Sequence, residues 1–281
     1  MKLIENKKFP CERDLYAADG VYLKNCAFEG EEDGESALKE ARNVTAESCL
    51  FALRYPLWHD ENVSLIGITM TETCRAALWY SNGVTIKKSD LLGIKAVREC
   101  SGVALEECKV VSPEFGWKSS DLSLKDCEVT SEYLFLLSRD IKLDGVHFRG
   151  KYSFQYTENV SIENSFLDTK DAFWHSKNVT VKNSVVKGEY LGWYSENLTF
   201  INCKIIGTQP LCYCKNLTLI DCETEGCDFS FEYSDVDAQI KGEVLSVKNP
   251  RSGKIVADGY GEIIYTDDSK YPCNCAVEIR K

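Results

Sequence analysis

The sequence predicts an all-β chain, a single-stranded parallel β-helix of about twelve rungs built on a 19-residue repeat. Two observations carry this reading. A polar residue just before each "VT"- or "LT"-like pair recurs at Gly83, Gly102, Asp121, Asp140, Asn159, Asn178, Asn197, Asn216 and Asp235, every step being 19 residues. Within each unit the apolar positions alternate with period two and are rich in β-branched residues, as in "NVTVKNS", so the elements are strands and not helices. A unit this short has no room for a helix plus strands or for a four-stranded propeller blade. It suits one rung of about three short strands separated by tight turns. Stacked rungs pair in parallel about 4.8 Å apart, and equivalent residues then form columns. Leucine-rich repeats share the period, but their leucine consensus is missing.

Upstream, Gly20, Asn43 and Asn62 continue the series at spacings of 23, 19 and 21. Residues 1–44 are expected to form an N-terminal cap and first rung, with "GESALKEARNV" (34–44), rich in helix formers, as a short helical plug. Regular rungs follow over 43–245. Residues 246–281 are expected as a C-terminal cap of shorter strands broken at Pro250, Gly253 and Gly259. No Ser/Pro-rich linker divides the chain, so one β-helix domain is expected over 1–281.

A formal net charge of −11 argues against nucleic acid, whose binding is dominated by basic patches. No stretch approaches the roughly 20 apolar residues that cross a bilayer, and "MKLIENKKFPCERDLY" has no apolar run suited to a signal peptide. A cytoplasmic protein without membrane partner is the expectation, with its 14 cysteines reduced.

The Asn, Asp and Gly marks occupy a position where the backbone is expected to turn through a left-handed conformation, which these residues tolerate best. Six marks begin Asn-x-Ser/Thr sequences, which a ladder of stacked Asn side chains explains without glycans. Six residues after the mark runs an inward column of Cys26, Cys49, Ser89, Cys108, Cys127, Ser165, Ser184, Cys203 and Cys222, in which cysteine is read as a small hydrophobe. The alternative, a metal site of Cys212, Cys214, Cys222 and Cys227, is weaker because zinc prefers C-x2-C to the C-x-C found here. No metal and no cofactor are expected.

The "NVTVKNS"-style rungs with their Asn ladder resemble the right-handed parallel β-helix of the pectate-lyase-like superfamily over about residues 20–245. More closely, "GEYLGWYSENL", "GTQPLCY", "DAFWHSKNVTV" and "RAALWYSNGV" are similar to an uncharacterised bacterial family of single-domain β-helix proteins that carries only a domain-of-unknown-function label. The resemblance implies the fold and no activity. The calcium-binding aspartate clusters and catalytic arginine of pectate lyases, and the three aspartates of polygalacturonases, have no counterparts here, so no catalytic residue is carried across.

One column is not required by folding. All five tryptophans, Trp58, Trp79, Trp117, Trp174 and Trp193, lie four residues before a mark, with His59, Tyr80, Tyr156, His175, Tyr194 and Tyr213 immediately after that column. The column five before the mark (Leu57, Leu78, Val97, Phe135, Phe154, Phe173, Leu211) carries no charge and is read as inward, so alternation sends the tryptophans outward. An outward aromatic row with polar edges on a rigid sheet suits an oligosaccharide, since an aromatic face packs on a pyranose while donors reach its hydroxyls. Trp174, Trp193, Tyr194, Tyr213, Gln209 and Tyr156 are the candidate ligand-binding residues. Asp171 and Glu189, from neighbouring rungs at nearly the same column, are a candidate carboxylate pair for a glycoside hydrolase or lyase-like reaction, with His175 as proton shuttle. Buried tryptophans, and a non-catalytic interaction scaffold or homo-oligomer using the same aromatic face, are the alternatives.

Overall fold

The structure, a computed structural model, describes residues 1–30 and 34–281. Its strands pair with their own copies one turn away. Lys177–Lys182 runs parallel to Glu158–Glu163 on one side and Glu196–Ile201 on the other, with Val179 opposite Val160 and Leu198. Because the displacement is one full repeat, inward residues always meet inward residues. Val179 and Val181 are buried, while Thr180 and Lys182 are half-exposed. After a tight turn comes a short strand, Val185–Lys187, paired with Phe166–Asp168 and Lys204–Ile206. The architecture is an all-β parallel β-solenoid of about 14 turns, with no helix among the described residues. The count exceeds the expected twelve because turns without the polar mark continue the pairing. Lys2–Glu5 pairs with Val21–Lys24, and Ser252–Ala257 lies between Asp235–Lys241 and Ala276–Ile279.

The chain forms two compact units, Met1–Lys142 and Leu143–Lys281. In the first, Arg42–Glu47, Glu61–Ile66, Asn82–Lys87, Ser101–Glu106 and Ser120–Lys125 stack in parallel. Among the described residues a third strand per turn appears here, as Leu57–Trp58, Leu78–Trp79 and Val97–Arg98. The helical plug expected over 34–44 does not form. Leu38 and Glu40 donate their N–H groups to Pro56 and Trp58 of the next turn, and Ala37, Leu38 and Ala41 fill the core. Small and apolar residues that suit a helix here serve a tight inward turn, so packing overrides propensity. Residues 31–33 of the expected cap lie outside the described residues.

In the tail, Glu243–Lys248 pairs with Gly259–Ile264, and Gly253 lies inside a strand and does not break one.

The marks do turn left-handed. Asn43, Asn62, Asp121, Asp140, Asn159, Asn178, Asn197 and Asn216 have φ between 53 and 57°. Their side chains bond in series: Asn216 Nδ2 donates to Asn197 Oδ1 at 2.8 Å, Asn197 to Asn178 at 2.8 Å, and Asn178 to Asn159 at 3.1 Å. Asp235 departs from the pattern, keeping a strand conformation and binding Arg251 and Ser252. A second left-handed column, which the period-two reading passes over, holds Asn164, Asn183, Asn202 and Asp221.

The Ser/Cys columns do more than fill space. Ser184 Oγ accepts the N–H of Ser165 at 3.0 Å and donates to Lys182 O at 2.6 Å, and Ser165 repeats this with Val146 and Glu163. Cysteines take the same place: Cys203 and Cys222 each set Sγ within 3.4 Å of two backbone carbonyls. At these corners an N–H would otherwise lack a partner, and burying it unpaired would cost about 1–3 kcal/mol. A small side chain with both a lone pair and a proton satisfies the corner.

Candidate functional site

All the candidate residues named above lie in the second unit, in the segments that close each turn before its mark. Those segments are turns and not the sheet expected for the aromatic row. The backbone switches in and out of the left-handed region, with Asp171, Phe173 and His175 at φ 51, 63 and 56°, and Tyr190, Gly192 and Tyr194 at 55, 76 and 61°. Entry to the segment is set by Gly188, where a Cβ would lie 1.7 Å from Thr169 O, so no other residue fits. Phe154, Phe173 and Leu211 fill the core as expected.

The tryptophans lie outside that core yet are only half-exposed. Trp174 and Trp193 are stacked, centroids 5.5 Å apart and planes 6° apart. Each indole N–H is spent on backbone, Trp174 donating to Tyr190 O at 2.6 Å and Trp193 to Gln209 O at 2.8 Å. The facing surfaces of this stack are covered. Gln209 enters the arrangement through its backbone carbonyl.

Immediately outside runs a second stack. Tyr156, His175, Tyr194 and Tyr213 lie ring on ring, with centroid separations of 4.9, 5.1 and 4.7 Å and tilts of 10, 8 and 16°. Tyr156 is 52% exposed, Tyr194 46%, and His175 is exposed as well. Their hydroxyls and imidazole nitrogens have no hydrogen-bond partner within the described residues. Burial holds the Tyr213 hydroxyl up at about 12, so it stays a donor throughout the physiological range.

The two candidate carboxylates are held differently. Glu189 stands one repeat on from Lys170, and their side chains form an exposed ion pair at 2.8 Å; the residue one repeat on from Asp171 is Tyr190. Asp171 is buried, which raises its pKa, with Lys170 opposing the rise and Glu189 adding to it. His175 is stacked between Tyr156 and Tyr194. No group of three or more His, Cys, Asp or Glu side chains among the described residues is placed to hold a metal ion.

The first unit carries a closed version of the same columns. Trp58 and Trp79 stack at 5.3 Å, with Lys39 Nζ 4.0 Å from the outer face of Trp58 and Arg98 5.5 Å from Trp79. Beside them His59 and Tyr80 are flanked by Glu40 and Glu99. Charged residues end both aromatic stacks. Lys39 and Glu40 stand one repeat before Trp58 and His59, where no aromatic residue marks the column in the sequence.

A solenoid with these columns matches one protein-family model from residue 2 to residue 278, the family described as protein of unknown function, DUF3737. The chain belongs to the DUF3737 family. Among solved structures, this DUF3737 chain is similar to a double mutant of the tailspike protein of E. coli bacteriophage HK620 in complex with a pentasaccharide, at TM-score 0.54 and 9% identity over 98% of this chain and 70% of that one. The surface protein and adhesin PfbA of Streptococcus pneumoniae aligns at TM-score 0.45 and 10% identity, covering 93% and 91% of the two chains. These are likenesses of fold. No curated protein sequence matches the chain.

Proposed function

We propose that the chain is a non-catalytic carbohydrate-binding scaffold whose contact face is the Tyr156–His175–Tyr194–Tyr213 ladder. The carrying observation is that four stacked rings project polar tips which the fold does not use. Packing accounts for the stack itself, since aromatic pairs in this geometry contribute about 0.5–1.5 kcal/mol each. It does not account for hydroxyls and an imidazole at the outer edge of every ring. Donors and acceptors at one-turn intervals suit a linear, hydroxyl-rich ligand lying along the ladder, bound edge-on through hydrogen bonds rather than by ring faces. The neighbouring charges, Lys170 and Glu189, neutralise each other, which favours a neutral sugar over an acidic one. The bacteriophage HK620 tailspike double mutant, similar in fold, is in complex with a pentasaccharide; the reading here rests on the ladder itself.

The test is calorimetric titration of the full chain with neutral and acidic oligosaccharides, with sedimentation run alongside. The proposal expects binding of a neutral oligosaccharide to a chain whose mass does not change. Self-association that His175→Ala abolishes would instead make the ladder a subunit interface.

A further inference from the structure

We infer that Asp60 is folded as a neutral carboxylic acid standing in for a corner hydroxyl, and that its ionisation makes the turn around Trp58 and His59 a pH-sensitive joint of the first unit. Asp60 occupies the column two residues before the mark, where successive turns of this unit otherwise place Ser81, Cys100, Ser119 and Ser138. Each of these works both as acceptor and as donor. Ser81 Oγ accepts the Asp60 N–H at 3.2 Å and donates to Leu57 O at 3.0 Å; Ser119 Oγ accepts the Cys100 N–H at 3.1 Å and donates to Trp117 O at 3.1 Å.

Asp60 performs the accepting half: its Oδ1 takes the Ala41 N–H at 3.0 Å. The residue is fully buried, and Oδ2 is buried with no hydrogen-bond partner among the described residues. In this column the donated proton goes to a carbonyl two residues earlier or in the preceding turn, here Trp58 or Leu38. A carboxylate would set a second anionic oxygen towards carbonyl oxygens with no proton between them. The neutral acid supplies that proton and completes the corner.

Burial pushes the Asp60 carboxyl up to about 8, against the pull of the Ala41 N–H, and the charge of Glu40 raises it further. The groups around it are few. Glu40 belongs to the preceding turn, with its carboxylate 3.1 Å from His59 Nδ1. Cys100 lies on the far side, its thiol raised to about 11 by burial. Arg42 and Glu61 pair with each other at 2.7 Å outside the corner, and Lys39 lies over Trp58. No cation among these contacts the carboxyl.

The folded pKa is therefore above the unfolded value of about 3.9. The contribution of Asp60 favours the fold fully below that value and is lost progressively as pH rises through about 8. The experiment compares thermal midpoints of the full chain, Asp60→Asn and Asp60→Ser from pH 5 to pH 9. The expected result is a wild-type midpoint that falls by several degrees relative to both variants, since asparagine and serine supply the donor without a charge. Parallel profiles would overturn the inference. Carbon-13 NMR of the wild-type aspartate carboxyls decides the matter even where the variants fail to fold: a protonated Asp60 resonance at pH 6 supports it, and a carboxylate resonance there ends it.

Discussion

The indole of Trp174 lies flat against that of Trp193, planes 6° apart, and each donates its N–H to a carbonyl in the following segment. A side chain so held is neither core nor free surface. Trp193→Ala forfeits a stack worth about 0.5–1.5 kcal/mol and a hydrogen bond worth about the same, plus part of its buried area, so a loss of about 2–3 kcal/mol is expected in urea unfolding. A loss under about 0.5 kcal/mol would place the residue with ordinary surface positions.

The Asn ladder makes a separate prediction. Asn178 is left-handed and bonded on both sides, so Asn178→Ala should cost about 2 kcal/mol, combining backbone strain with lost hydrogen bonds. Asn178→Gly removes only the bonds and should cost about half as much. Equal losses would mean that the conformation contributes nothing.

The thiols divide by access. Cys108, Cys127, Cys203 and Cys222 are buried, whereas Cys11 is exposed and Cys273 half-exposed. A hydrogen bond from Cys127 holds the Cys108 thiol down against burial, while the Cys127 thiol is raised; Cys203 and Cys222 divide in the same way. Access decides reactivity here, because a buried thiolate still has no path to reagent. Mass-resolved alkylation should modify Cys11 and Cys273 first and leave the four corner thiols untouched until denaturant unfolds the chain. Early labelling of Cys203 or Cys222 would contradict their role in the corners.

Glu189 faces Lys170 on an exposed surface, so Glu189→Gln should shift stability by no more than about 0.5 kcal/mol. It should leave oligosaccharide affinity unchanged within a factor of two. A tenfold loss of affinity would bring this pair into the binding face.

The repeat, the strand pattern and the inward Phe/Leu column were legible in the sequence because a 19-residue register puts one side-chain choice under the same constraint many times over. Asn178 announced its own backbone angle. What was not legible follows from the same physics. Alternation assumes a strand, and the segment carrying Trp174 and His175 is a run of left-handed corners that alternation does not describe. The carboxylates of Asp171 and Glu189 differ by one position in register, too small a step to see in spacing alone. Cys203 looked like a small hydrophobe because its value to the fold lies in a backbone N–H and two carbonyls, which no side-chain pattern displays. Asp60 was passed over for the same reason.

If the ladder's unused polar tips hold a sugar, the Tyr194 hydroxyl is among the groups that bind it. Tyr194→Phe keeps the ring between His175 and Tyr213 and removes only a hydroxyl that the fold does not use. Titration of wild type and variant with the best neutral oligosaccharide, followed by tryptophan fluorescence, should show at least about tenfold weaker binding in the variant at an unchanged thermal midpoint, the loss of about one well-made hydrogen bond. Equal affinities, or a wild-type chain that stays monomeric and binds nothing across a broad panel, would contradict the account.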